Sequence, residues 1–258
     1  MSHYYKQDGS PLYTLVGKNG KERDTNLGDA RKLKLVPSVT TILSVLDKPQ
    51  LNKWQREKVL ECVHLVPDYN EYHGTKEEWE AEVWKLYKER TSIYSIRGSE
   101  VHSKLERFYK TGVVHPEDEE QLSETIRLVK TLGYHQAEAE ANFADPEGYG
   151  GQIDLVLHPD GLDDKPGAII DFKTRQGDKL DKRSIYDSYL MQIAAYRNAL
   201  PFEADCYNIL ISVTHPDVAY LHKYTEEELQ RGLEQFECLL QYWKLSNNYD
   251  GSFEVNDE

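Results

Sequence analysis

Gly151-Gln152-Ile153-Asp154-Leu155-Val156-Leu157, followed by Ala168-Ile169-Ile170-Asp171-Phe172-Lys173-Thr174, decides the fold. Each half is a short apolar run bounded by turn residues, with Gly150-Gly151 ahead of the first and His158-Pro159-Asp160-Gly161 behind it. Runs of this kind read as buried strands, and residues 158–167 then form a hairpin connection. An aspartate interrupts each run. Asp171 and Lys173 are two positions apart, so a strand projects both side chains from one face. If the two strands are neighbours, two carboxylates and an ammonium converge at one point.

Outward from these strands the same mixture continues. Residues 136–143 alternate as a strand does, and Tyr186–Leu200 reads as a helix. Tyr207–Val213 and Val218–Tyr224 read as strands joined at His215-Pro216-Asp217. Thr225-Glu226-Glu227-Glu228 is a capping box that opens a last helix, with Leu229, Leu233, Phe236 and Leu240 on its apolar face. Upstream, Trp79, Val83, Trp84 and Tyr87 recur at helical spacing over residues 76–90, and Arg97-Gly98-Ser99 then punctuates the chain. Val101, Leu105 and Phe108 mark a helix over 100–109, and another runs from about Glu117 to Leu132 with Gly133 as its stop. Ser38 caps a helical turn over Pro37–Leu43, a helix follows from Leu51 to about Leu60, and residues 1–35 read as a hairpin or ordered arm. The order predicts an α/β (α+β) fold, a mixed central sheet flanked by helices, with a helical N-terminal elaboration. Residues 1–96 form that elaboration, and residues 97–258 form the core with its C-terminal helix.

The bulk properties narrow the function. With 258 residues, 39% of them apolar, the chain can bury a real core. No apolar run nears the roughly 20 residues of a membrane span, and the N-terminus lacks a secretory pattern, so a soluble intracellular protein with no membrane partner is expected. Cys62, Cys206 and Cys238 fit neither a disulfide framework nor a zinc spacing and read as reduced, mostly buried thiols. The net charge of −14 argues against a protein that coats phosphate backbones. It is uneven, however: of 31 Lys/Arg and 45 Asp/Glu, residues 1–60 hold 11 and 6. A basic N-terminal segment on an acidic body still allows a positive groove.

Chemistry gathers around the two aspartates. Hard carboxylate oxygens suit Mg²⁺ or Mn²⁺, which take few protein ligands and keep several waters. A lysine beside such an ion neutralises charge that develops on a reacting phosphate or orients water. Gln192 and Tyr196, four apart, share one helical face, either as part of this site or as the polar edge of an amphipathic helix. Glu140, on the strand before Asp154, adds a further carboxylate or faces solvent beside Glu138. Arg175, Lys179, Lys182 and Arg183 follow Lys173 closely and offer contacts to a phosphate backbone, although Asp178 and Asp181 interleave with them. Ser38 and Thr40 either present hydroxyls to a phosphate or serve only as a cap. With 18 tyrosines, aromatic faces for stacking unpaired bases are plentiful. No Walker loop is present.

The ordered set His102, Gly151-x-x-Asp154, Asp171-Phe172-Lys173-Thr174 and Gln192-x-x-x-Tyr196 resembles the PD-(D/E)XK nuclease superfamily, in its RecB-like branch, over residues 97–224. Pro37-Ser38-Val39-Thr40-x-Ile42-Leu43 with Leu51-x-x-Trp54 is similar to the N-terminal region of mitochondrial genome maintenance exonucleases and related phage exonucleases. The resemblance implies a restriction-endonuclease-like core and a Mg²⁺- or Mn²⁺-dependent exonuclease that digests single-stranded DNA from an end, in replication, recombination or repair. A replication or recombination protein as partner, and a bacterial or phage-infected cytoplasm, go with it. It makes His102, Asp154, Asp171 and the backbone carbonyl of Phe172 the metal ligands, with His102 at a helix start. Lys173 then positions or activates water, and Gln192 and Tyr196 support it and contact the DNA backbone. An imidazole ligand would make Mn²⁺ at least as effective as Mg²⁺. The branch's iron–sulfur members need four cysteines around the core, so no such cluster is expected. A structure-specific endonuclease and a catalytically silent DNA-binding protein of the same fold are the alternatives.

Overall fold

The computed structural model describes residues 3–159 and 166–254. The chain divides into two compact units, one of residues 46–100 and a core made of residues up to 45 with those from 101 onward. In the first part of the core, β1 (Tyr4–Tyr5), β2 (Thr14–Val16), β3 (Glu22–Asp24), α1 (Leu27–Leu33), β4 (Val36–Pro37) and α2 (Val39–Leu43) follow one another. β1 pairs with β4, and β2 forms a hairpin with β3. α1 was not foreseen. Asn26 caps it, Asp29 closes the capping box, and Lys34 ends it in a left-handed conformation.

Residues 1–45 therefore belong with the core, and not with the helical region to which the sequence boundary at 96 assigned them. The cause is packing. Tyr4, Ala30 and Leu35 form a buried cluster with Leu12 and Tyr249, and the Tyr249 hydroxyl donates to the carbonyls of Ala30 and Leu35.

The second unit contains α3 (Pro49–Val63) and the first part of α4 (Lys76–Thr111). Cys62, Val66 and Val83 are its buried centre, with Val59, Val63, Trp79, Leu86 and Tyr87 packed around them. α4 is continuous through Arg97-Gly98-Ser99, where the sequence predicted a break. An isolated helical glycine costs only about 1 kcal/mol relative to alanine, too little to interrupt strongly helical flanks.

From Val101 onward α4 belongs to the core, followed by α5 (Glu119–Lys130). Then come β5 (Gln136–Asp145), β6 (Tyr149–His158), β7 (Gly167–Arg175), α6 (Asp187–Asn198), β8 (Ala204–Ser212), β9 (Ala219–Lys223) and α7 (Glu226–Asn247). The five strands form one mixed sheet in the order β5-β6-β7-β8-β9. Only β7 and β8 are parallel, and α6 supplies the crossover that a parallel pair requires. The connection over 158–167 lies partly outside the described residues. Capping by Ser38, and by Thr225 with Glu228, is as the sequence predicted.

The pleat sorts side chains between the two faces of the sheet. Ile170 and Phe172 join Leu155, Leu157, Ile209 and Ile211 in a core shared with Val101, Leu105, Leu122 and Ile126 of α4 and α5. Full burial of each such side chain stabilises by ~1.5–3 kcal/mol. Asp171 and Lys173 point the other way, toward α6. α6 in turn packs on α7 through Gly232, where a Cβ would lie 2.7 Å from Leu190 Cγ and 3.1 Å from its carbonyl oxygen. A helix broadly buried on this side, with Leu190 to Tyr196 all inaccessible, is thus held against the sheet. Among the described residues no helix is long and apolar enough to cross a membrane. The thiols of Cys62 and Cys206 are buried, and that of Cys238 is exposed.

Candidate active site

The site begins where the sheet opens. β6 and β7 pair only at Leu155–Ile170, Val156–Ile169 and Leu157–Ala168. The next facing residues in that register are Asp154 and Asp171, and there the ladder stops. Two carboxylates side by side repel one another, and polar backbone groups left by the opening need partners. Asp154 supplies one: its Oδ2 accepts from the Phe172 amide at 2.7 Å. In an extended strand the carbonyl of a residue lies on the same side as its N–H, so the Phe172 carbonyl is directed toward the same gap. The other Asp154 oxygen, Oδ1, lies 3.5 Å from His102 Nδ1. His102 stands inside α4 rather than at a helix start, and its ring meets Phe172 edge-on with centroids 6.3 Å apart.

β5 contributes from the opposite edge. Its ladder with β6 runs through Ala139–Leu155 and resumes at Ala141–Ile153, leaving Glu140 facing Asp154 unpaired. Glu140 has φ 59°, the left-handed region that a residue with a side chain rarely adopts. Strain of this kind persists only where surrounding structure enforces it, and it concentrates at functional sites. Burial, with the Asp154 charge adding to it, pushes the Glu140 carboxyl up to about 7.

Asp171 is the centre of a closed network and is 2% exposed. Lys173 Nζ lies 2.9 Å from its Oδ1 and 2.8 Å from its Oδ2. Gln192 Nε2 donates to Oδ1 at 3.0 Å and to the Tyr196 hydroxyl at 2.8 Å. Lys173 also donates to Gln192 Oε1 at 3.0 Å, which fixes the orientation of that amide. On the far side Asn208 Nδ2 donates to Asp171 Oδ2 at 2.6 Å and to the Asp171 carbonyl at 2.9 Å, while its own Oδ1 accepts from Tyr224. Burial works against the Lys173 ammonium, but the Asp171 and Asp154 carboxylates outweigh it and hold its pKa above the usual value. Burial likewise pushes Asp171 up, opposed by the Lys173 charge beside it. His102 is drawn down by burial and up by Asp154, and the net direction is up.

The glycine of Gly151-x-x-Asp154 has a packing cause. A Cβ there would lie 2.8 Å from the Phe143 ring and 2.9 Å from Tyr196 Cε1, so glycine lets Tyr196 approach the sheet and hold Gln192.

His102 with Asp154, and Asp171 with Lys173, Gln192 and Tyr196, are therefore brought together. Among the described residues, no three His, Cys, Asp or Glu side chains already converge as a bound ion would hold them. Arg175 continues the Asp171–Lys173 face and packs against two neighbouring tyrosines: its Cζ is 4.1 Å from the Tyr186 ring centroid, and Nη2 donates to the Tyr189 hydroxyl at 2.6 Å. Arg183 is exposed and forks onto Asp181, Lys182 pairs with Glu228, and Lys179 is exposed. The Ser38 hydroxyl is buried and accepts from the Thr41 amide, whereas Thr40 is exposed. Asn208 and Tyr224 escaped the sequence reading. The available signal was one asparagine inside the apolar run Tyr207–Val213, since a buried amide must find partners.

No family model matches the chain, and no curated protein is similar to it. Among solved structures, a protein from Eubacterium rectale named as a candidate exonuclease is 14% identical, over 61% of this chain and 69% of its own, with a TM-score of 0.40. The protein SSO0001 is 16% identical over 74% of this chain and 87% of its own, with a TM-score of 0.30. Likenesses this distant say nothing of chemistry.

Proposed function

We propose that the protein is a Mg²⁺- or Mn²⁺-dependent deoxyribonuclease of exonuclease type, acting on single-stranded DNA ends in replication, recombination or repair. The observation that carries this reading is the opening of the β6–β7 ladder at Asp154 and Asp171, with Lys173 locked between Asp171 and Gln192. The order of these residues is also that of the PD-(D/E)XK nucleases of the RecB-like branch.

The donors fit a hard divalent cation. Asp154 and Asp171 offer carboxylate oxygens, His102 an imidazole nitrogen, Phe172 a carbonyl, and Glu140 faces Asp154 across the strands. When bound, the ion would polarise a phosphodiester and ease ionisation of water. The protein's own groups do the rest. As an ammonium, Lys173 would neutralise charge growing on phosphorus and would position or activate the attacking water. Gln192 holds Nζ in place, and Tyr196 holds Gln192. Arg175, held against its tyrosines, Lys179, Arg183 and Thr40 are the groups offered to the DNA backbone.

Linear and circular single strands separate the two nuclease modes. With Mn²⁺, an end-labelled linear strand is consumed and the circle survives; cutting of the circle would make the enzyme an endonuclease.

A further inference from the structure

We infer that Asn208, backed by Tyr224, is a positioning residue that fixes the Asp171 carboxylate, forming with Gln192 a two-amide clamp on the central acid of the site. Its consequence for catalysis rests on the metal-nuclease reading; the clamp itself does not.

A carboxylate offers about four acceptor positions. At Asp171 they receive Lys173 on both oxygens, Gln192 on Oδ1 and Asn208 on Oδ2. The two amides grip the two oxygens from neighbouring elements, Gln192 from α6 and Asn208 from β8, where Asn208 lies directly beside Asp171 in the parallel register. An amide can flip unless its own oxygen is engaged. For Gln192 that anchor is Lys173, and for Asn208 it is the Tyr224 hydroxyl, which donates to Oδ1 and turns Nδ2 toward Asp171. All three groups are sealed from solvent, Asn208 completely and Tyr224 to 4%. An aspartate at 208 would add a repelling charge, and an apolar residue would leave Oδ2 a donor short. An uncharged double-ended donor and acceptor is what the position requires. When Lys173 yields to a cation, the amides are what hold the carboxylate in its orientation.

Tyr224→Phe keeps the ring and removes only the anchor; Asn208→Leu keeps the branched shape in a bulkier side chain and removes the donor. Tyr207→Phe, which loses a hydroxyl directed to Asp205, is the control. For each, the melting temperature, the Asp171 carboxyl ¹³C resonance in metal-free protein, the Mn²⁺ affinity by calorimetry, and kcat and KM on linear single strands are measured. Tyr224→Phe should melt within a few degrees of wild type, shift the Asp171 resonance and weaken Mn²⁺ roughly 10-fold, within the range for groups that orient metal ligands. It should lower kcat with KM unchanged. Asn208→Leu does the same more strongly, and Tyr207→Phe does none of it. A folded Tyr224→Phe protein with an unmoved Asp171 resonance overturns the clamp. Wild-type protein that binds no Mn²⁺ would remove the metal reading, and the resonance would still decide the clamp.

Discussion

On the proposed metal-dependent reading, Lys173 and a divalent cation would compete for one carboxylate. Both Asp171 oxygens carry a contact from Nζ under 3 Å, so an ion can ligate Asp171 only as the ammonium gives way. Lys173→Met should therefore lose cleavage and yet bind Mn²⁺ more tightly, by roughly tenfold, the equivalent of about 1.4 kcal/mol of relieved competition. Calorimetry on the two proteins checks this, and weaker binding by the variant would instead make Lys173 a support of the ion site. Asp171, Lys173, Gln192 and Tyr196 were legible in the sequence because spacings of two and four translate directly into faces of a strand and a helix. Asn208 was not, because an asparagine in an apolar strand announces a partner without naming it. Glu140 was legible as a carboxylate, while its left-handed backbone follows from the gap in the β5–β6 ladder and has no sequence signature.

At the level of elements, Gly151 and α1 show how local chemistry sets geometry. Gly151→Ala puts a methyl against Phe143 and Tyr196. Because Tyr196 is buried, the overpacking should cost ~1–3 kcal/mol and lower kcat through displacement of Gln192, read by denaturant melts beside single-turnover kinetics. Asp29 offers a test of pH dependence. The Arg23 guanidinium beside it, with the Asn26 amide, holds its carboxyl down at about 2. A carboxyl depressed in the folded state contributes stability above its unfolded value, near 3.9, and that contribution is lost as pH falls through about 2. Asp29→Asn should then cost up to about 1 kcal/mol at pH 7, the usual worth of a carboxylate in the first turn of a helix, with the deficit closing between pH 4 and 2. A deficit that is constant with pH would remove the ion pair from the account. The strands of the sheet and the capped last helix could be read from apolar runs and turn residues. The continuity of α4 could not, since a glycine between polar residues looks like a stop when its helical flanks are weighed separately. α1 was hidden in a weakly periodic stretch whose signal was one Asn-x-x-Asp cap.

At the scale of the whole molecule, order along the chain misled where packing reunites distant segments. Residues 1–45 sit with the sheet because Tyr4, Leu35 and Tyr249 bury one another across more than 200 positions, a contact that no local pattern records. The acidic total charge is likewise a poor guide, since it sums buried carboxylates such as Asp171 with those that only face water. The proposed activity turns on a small constellation inside a sheet otherwise built for stability. The most direct measurement is cleavage of end-labelled linear single-stranded DNA by wild-type protein with Mn²⁺ or EDTA, beside folded Lys173→Ala and Asp171→Asn variants. The account predicts Mn²⁺-dependent loss of the strand by wild type, abolished by EDTA and by either substitution. Turnover by Asp171→Asn at the wild-type rate, or no cleavage by folded wild-type protein with Mn²⁺, would contradict it.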